Sequence, residues 1–485
     1  MNLYCINHTY RYEAEKLLRL FFPLVKFNEL YKFTGDEGDY LLTKTEGEDV
    51  LKLTAVLSLN GKTETKEKEI EKHLCEDEER ELLLLAYELL CKMCSFTPKW
   101  GILTGVRPSK LLMNKMLTCD EKEAYGWFRD TFKVSEEKAK LALSVAKTEL
   151  TIIEKAGDNT FSLYISIPFC PSRCSYCSFV SHSIDSQKAK ELVPDYVNKL
   201  LEELEFTAKK AKENNLTLTS VYWGGGTPTT LDENDLDRVL TKIEECFDLS
   251  TCVEYTVEAG RPDTVTKEKL QVLKNHNVGR ISINPQTFSD SVLKEIGRSH
   301  SASLTEEKYL LAREIGFESI NMDLIAGLPT DTLEGFKNSI NKAVSLNPDN
   351  ITVHTLALKT SSFIVTENES DSVTDESINQ MLSYAQKVLT ENGYHPYYMY
   401  RQSKSLGNLE NVGWCKEGKE CVYNILMMEE CQSIFSVGAG AVTKLRKNDG
   451  SVIERIFNFK YPFEYISRFD LLLDKKMRMS SFFTE

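Results

Sequence analysis

The stretch Tyr164-Ile-Ser-Ile-Pro-Phe-Cys170-Pro-Ser-Arg-Cys174-Ser-Tyr-Cys177 carries three cysteines at Cys-x3-Cys-x2-Cys spacing, directly after a short alternating run. The alternation of Tyr164, Ile165, Ser166 and Ile167 predicts a strand, and Pro168 and Pro171 bar a helix. The thiols are therefore expected on a tight loop at the carboxyl end of a strand, where α/β folds place their chemistry. Three thiolates between Cys170 and Cys177 can ligate three corners of one [4Fe–4S] cubane. Such clusters usually take four cysteines, so three leave one iron open, which is what a catalytic metal centre needs. The alternative is a structural zinc ion with His182 as fourth ligand, although structural zinc sites usually pair two separated ligand duos.

Downstream, strand, loop and helix alternate, the grammar of parallel βα units. Strands are expected at 163–168, 219–224, 252–258, 280–285, 319–325 and 350–357, with helices at about 188–213, 232–246, 266–275, 304–315 and 332–346 between them. Six units predict a partial, open (β/α)6 TIM-like barrel whose site lies at the carboxyl ends of the strands. Chemistry-bearing motifs recur there. Tyr222-Trp-Gly224-Gly225-Gly226-Thr227-Pro-Thr follows the second strand, and its glycines let backbone amides approach a ligand closely. The lysine of a Walker A loop is missing, which argues against a phosphate cradle. The third strand ends at Glu258. The fourth and fifth end in Asn284-Pro-Gln286-Thr-Phe and Asp323-Leu-Ile-Ala-Gly327-Leu-Pro, polar groups on apolar strands that need partners or ligands. Arg298 supplies a cation, and His354 on the sixth strand carries no assignment.

The cysteine spacing resembles the signature of the radical S-adenosylmethionine (SAM) superfamily. In that family the open iron chelates SAM, and one electron cleaves it to methionine and a 5′-deoxyadenosyl radical. Together, Tyr164, the cysteine loop, Gly-Gly-Gly-Thr-Pro-Thr, Pro-Gln-Thr-Phe and Asp-Leu-Ile-Ala-Gly-Leu-Pro resemble the oxygen-independent coproporphyrinogen III oxidases over about 160 to 360. The resemblance implies Cys170, Cys174 and Cys177 as cluster ligands, with Tyr164, Gly225 and Glu258 at the cluster-bound SAM. It implies a second SAM at Tyr176, Gly226, Thr227, Gln286, Arg298, Asp323 and Ala357. Oxidative decarboxylation of coproporphyrinogen III to protoporphyrinogen IX is the expected reaction, with a tetrapyrrole substrate and a flavodoxin or ferredoxin electron donor. The alternatives are methyl transfer, haem degradation or haem chaperoning. Two departures stand out: Ser178-Phe179 replaces the usual Gly-Cys, and Ser166 stands where those oxidases have histidine. The His-Asn-x-x-Tyr-Trp motif of haem chaperones is not found, and the long amino-terminal region resembles a second type of coproporphyrinogen dehydrogenase.

The flanking regions complete three expected domains, 1–158, 159–370 and 371–485, the outer two mixed α+β. In the first, Val50 to Leu59 and Lys62 to Thr65 predict a hairpin across Asn60-Gly61, and Lys66 to Cys94 predicts one long helix. Further helices are expected at 107–117, 120–132 and 135–155. Cys91 and Cys94 read as small apolar residues on that helix, with a redox or metal pair as the rival. In the last region a helix over Asp371 to Glu391, an aromatic strand from Tyr394 to Gln402, a loop from Gly407 to Trp414 and a strand at Ser436 to Ala441 are expected. Aromatic walls and Arg401 would suit a macrocycle with propionate edges, and Cys415, Cys421 and Cys431 are a loose candidate for an auxiliary cluster. A net charge of −14 argues against a broad nucleic-acid footprint. No apolar run approaches the ~18 residues of a membrane span, and Glu13, Glu15 and Arg19 break any signal-peptide core. Thirteen cysteines without such a signal read as reduced thiols and metal ligands in a cytoplasmic protein, which is expected to be a monomer.

Overall fold

Strands that read as nearly continuous apolar runs are what a parallel sheet covered on both faces requires, and the segment from Thr160 builds one. The computed structural model describes residues 1–485 apart from 24, 34, 36–37, 155–156, 178, 180–181, 185, 358–374, 403–405 and 485. Ser178 and the expected boundary at 370/371 lie outside the described residues. The chain divides into two units, Met1–Leu143 and Ser144–Glu485.

The first unit holds a five-stranded sheet in the order β2-β1-β3-β4-β5, with β1 (Asn2–Ile6), β2 (Asn28–Leu30), β3 (Tyr40–Glu46), β4 (Val50–Leu59) and β5 (Lys62–Glu71). Leu17 and Leu18 of the helix Arg11–Phe21 and Leu82, Leu85, Ala86 and Leu89 of the helix Glu78–Cys94 share an apolar core with Leu53, Ala55 and Leu57 of β4. The expected hairpin is present, with Asn60 and Gly61 both at positive φ as a primed turn demands. The single helix from Lys66 is not. Lys62–Glu71 pairs along the whole of β4, and the helix starts only at Glu78, capped by the Asp77 carboxylate that accepts from Arg80 N at 2.9 Å. The alternating Lys and Glu side chains of an exposed edge strand look helical by propensity, but the ladder decides the conformation. Cys91 and Cys94 pack against the apolar core, and burial pushes both thiols up.

In the second unit the described residues form an eleven-stranded sheet ordered β14-β15-β13-β12-β11-β10-β9-β6-β16-β17-β18. Its strands are β6 (Thr160–Ile167), β9 (Thr217–Gly225), β10 (Glu254–Glu258), β11 (Arg280–Ser282), β12 (Ser319–Ala326), β13 (Asn350–Thr355), β14 (His395–Arg401), β15 (Glu410–Cys415), β16 (Ser433–Val437), β17 (Val442–Arg446) and β18 (Ile453–Phe457); the short pair β7 (Phe169–Cys170) and β8 (His182–Ser183) stands apart. All neighbours from β16 through β6 to β13 are parallel. The helices Gln187–Glu213, Glu233–Cys246, Lys267–Asn275, Ala302–Ile315 and Leu333–Leu346 link them as expected. This is an α/β partial barrel: its edge strands β14 and β18 are not neighbours.

The strand expected near Ser436 lies beside β6, in parallel register. The loop expected from Gly407 is instead mostly strand: β15, fully buried, joins β13 to β14. Glycine, asparagine and glutamate obscure its pattern. Gly413 is there because a Cβ would meet the Tyr398 ring at 2.0 Å.

Candidate functional site

The cysteine loop leaves the carboxyl end of β6 and is tied down by the glycine loop after β9. Gly226 N donates to Ile167 O and Thr227 N to Phe169 O, both at 2.7 Å. A Cβ on Gly226 would stand 2.5 Å from Phe169 O, and Gly225 sits at φ +101°, a backbone that side chains rarely adopt. Thr227 Oγ1 lies 3.5 Å from Cys170 Sγ. On its other side the loop is held by Ser175 N donating to Ile296 O at 3.1 Å and Ser172 Oγ to Gly297 O at 3.1 Å. Cys174 is buried, with Cys170 and Cys177 half-buried. Burial and the neighbouring thiols push Cys177 up.

Sequence reasoning missed Arg261. It is buried and donates to Ser172 O at 3.2 Å, Ser172 Oγ at 3.1 Å and Cys174 Sγ at 3.6 Å, while Asp263 fixes its other edge at 2.9 and 3.0 Å. In the sequence it is one arginine in a turn after β10. Only the folded sheet brings that turn beneath the cysteine loop.

Tyr164, Gly224 and Glu258 converge one strand over. A Cβ on Gly224 would lie 3.2 Å from both Tyr164 Oη and Glu258 Oε2, and Tyr222 Oη donates to Glu258 Oε1 at 2.5 Å. The rings of Tyr164, Tyr222 and Tyr423 stack, with Tyr222 and Tyr423 4.4 Å apart; Tyr423, from the helix Val422–Glu429, is another residue missed. Burial pushes the Glu258 carboxyl up to about 7; Tyr222 donation and His354 oppose that, and Asp323 adds to it. The same burial acts on Asp323, yet His354 and donation from Asn321 and Thr352 hold it below the usual range.

A second group forms around Arg298. Its guanidinium donates to Tyr176 Oη at 3.1 and 3.2 Å, to Asn284 O at 2.8 Å and to Gly260 O at 3.3 Å. Asn284 Nδ2 in turn donates to Asp323 Oδ2 at 2.6 Å, and Asn321 Nδ2 to Asp323 Oδ1 at 2.7 Å. Gln286, at φ +66°, bridges backbones by donating to Asp323 O and accepting from Ile325 N. Ala357 follows β13, where Leu356 N donates to Ala326 O at 3.0 Å. His300 is buried nearby, and burial with the Arg298 charge pushes it down to about 4.

Some earlier candidates have other uses. Arg401 is buried, donates to Asn408 O at 3.1 Å and faces Glu410. Cys421 Sγ donates to Glu254 Oε1 at 3.3 Å and Cys431 Sγ to Leu426 O at 3.6 Å.

The cysteine loop suits an anionic iron–sulfur centre: three thiols on one loop, a buried arginine donating to one of them, and Arg298 close enough to feel Cys174. Comparison with known proteins agrees. The model of the radical SAM superfamily matches residues 164–343. The chain is 39% identical over 396 residues to the oxygen-independent coproporphyrinogen-III oxidase-like protein HemZ of Bacillus subtilis, covering 80% of this chain and 78% of the relative. It is 34% identical over 284 residues to the heme chaperone HemW of the same organism, covering 58% and 70%. Among solved structures, coproporphyrinogen III oxidase HemN of Escherichia coli, a radical SAM enzyme, superposes with a TM-score of 0.52 at 22% identity, covering 66% of this chain and 72% of that one; that likeness concerns the fold.

Proposed function

We propose, because the chain belongs to the radical SAM superfamily and to its oxygen-independent coproporphyrinogen-III oxidase-like branch, that it oxidatively decarboxylates two propionates of coproporphyrinogen III to vinyls. The observation that carries this reading is the extent of the likeness to the oxidase-like relative, 80% of the chain. Cys170, Cys174 and Cys177 would hold the [4Fe–4S] cluster; Tyr164, Gly225 and Glu258 the SAM beside it; and Tyr176, Gly226, Thr227, Gln286, Arg298, Asp323 and Ala357 a second SAM. When bound, cluster and SAM supply the one-electron chemistry that protein side chains lack.

The chain's own groups prepare the place. Gly225 and Gly226 bring backbone against the cysteine loop with no Cβ between. Arg261 donates to Cys174 and offsets the negative charge of a thiolate set. Glu258, poised to lose its proton near neutral pH, can accept from a ribose hydroxyl or an ammonium. The Tyr164–Tyr222–Tyr423 stack lines the interior beside it. Arg298 fixes Tyr176 and the β11 end as one rigid wall. Two decarboxylations need two SAM molecules, an outside electron acceptor and a flavodoxin or ferredoxin donor.

The likeness to HemW supports a second reading, a haem chaperone, although the His-Asn-x-x-Tyr-Trp motif is not found. One anaerobic reaction separates the readings: reconstituted protein, reductant, SAM and coproporphyrinogen III, with products identified by mass. Monovinyl then divinyl product with CO2 release is expected. A methylated tetrapyrrole, or unchanged coproporphyrinogen III from protein that binds separately added haem stoichiometrically, would overturn the proposal.

A further inference from the structure

At the opposite end of the parallel strands, three side chains of different donor type meet. His395 opens β14 and Cys415 closes β15, and the two are cross-strand partners in register. Cys415 also pairs with Asn350, the first residue of β13, which puts this cluster at the amino ends of the strands, away from the Cys170 loop. Glu420 arrives from the turn that follows. His395 Nε2 lies 3.0 Å from Glu420 Oε1 and 3.4 Å from Cys415 Sγ, and the three atoms all fall within 4.8 Å of one another.

We propose that His395, Cys415 and Glu420 form a binding site for one divalent metal ion of the zinc type. A tetrahedral zinc ion, with Zn–S near 2.3 Å and Zn–N and Zn–O near 2.0–2.2 Å, sets its ligand atoms roughly 3.3–3.6 Å apart, so the two distances from His395 Nε2 need adjustment of only a few tenths of an ångström. A plain His395–Glu420 ion pair would explain the 3.0 Å contact but not a buried thiol aimed at the same nitrogen. The donors are also pre-positioned. Lys416 N donates to Asp349 O at 3.0 Å and Lys419 N to Lys416 O at 3.0 Å, while Lys419 O accepts from Arg280 at 3.0 Å and from Asn350 Nδ2 at 2.6 Å. The turn carrying Glu420 is thus pinned to the strands. Cys415 is fully buried, whereas His395 keeps 34% of its side chain exposed and Glu420 16%, which leaves a wet side where water completes the coordination. A thiolate and a carboxylate neutralise a dication. Binding forms one bond each to N, S and O, releases the Cys415 proton to solvent and moves no electron. The ion would clip the β14–β15 end to the turn entering the helix Val422–Glu429, which carries Tyr423 into the stack.

The full-length chain with its cluster reconstituted is equilibrated anaerobically with micromolar Zn2+, freed of excess, and its zinc and iron counted. One zinc per chain is expected, with a zinc-edge absorption spectrum of one sulfur at about 2.3 Å and lighter N/O donors. His395→Asn and Glu420→Gln, both at partly exposed positions, should weaken zinc binding at least ~10-fold at unchanged iron content. Cys415→Ser should remove the sulfur scatterer. No zinc in the wild type, equal zinc in His395→Asn and Glu420→Gln, or a spectrum with three sulfurs, which would put the ion on the Cys170 loop, overturns the proposal.

Discussion

Glu258 carries a titration that can be read directly. Burial raises its carboxyl from 4.5 to about 7. A raised folded value means that its contribution to stability is complete below about 4.5 and is lost as pH rises through 7. The unliganded wild type should therefore lose stability, on the order of 1–3 kcal/mol, between pH 5 and 8 relative to Glu258→Gln. Parallel thermal-melting curves for the two across that range would contradict the assignment. Arg261 gives a second test. Arg261→Gln removes the donor to Cys174 Sγ, so reconstituted protein should hold less iron and sulfide and show a more negative cluster potential; unchanged content and potential would refute the role. These two residues also mark what sequence could convey. The carboxylate was legible because it ends a strand, and the cysteines because their spacing is chemical. Arg261 was not, since its partner lies across the sheet in sequence order and no periodicity marks a turn.

Elements were legible where their residues have only one use. The six parallel strands and their helices follow the expected order because apolar runs buried on two faces admit few alternatives. β5 and β15 escaped for opposite reasons. β5 is an edge strand whose Lys–Glu alternation mimics a solvated helix, and only the ladder to β4 fixes it. β15 is interior, but Gly413 and Asn411 make it read as a loop. The packing of Tyr398 against Gly413 explains that glycine, so Gly413→Val should destabilise the protein by roughly 1–3 kcal/mol through overpacking, seen as a lower denaturation midpoint. In the glycine loop, Gly226→Ala forces a Cβ against Phe169 O at 2.5 Å. It should cut SAM affinity at least ~10-fold, a 1.4 kcal/mol effect, in equilibrium binding, while wild-type affinity would show that the close approach is dispensable.

At the scale of the molecule, the parallel strands place the cysteine loop and the groups that converge with it at their carboxyl ends. The cysteine loop, glycine loop, Glu258, Asn284 and Asp323 come from consecutive strands and meet only because those strands lie side by side. Among the described residues no helix is long and apolar enough to cross a membrane. The central claim, that three thiols on one loop hold the centre that cleaves SAM, is tested most directly by counting 5′-deoxyadenosine. Reduced, cluster-loaded wild type given SAM should form it, and Cys170→Ala, Cys174→Ala and Cys177→Ala should each lose the cluster absorbance and form none; wild-type amounts from any one of the three would contradict the account.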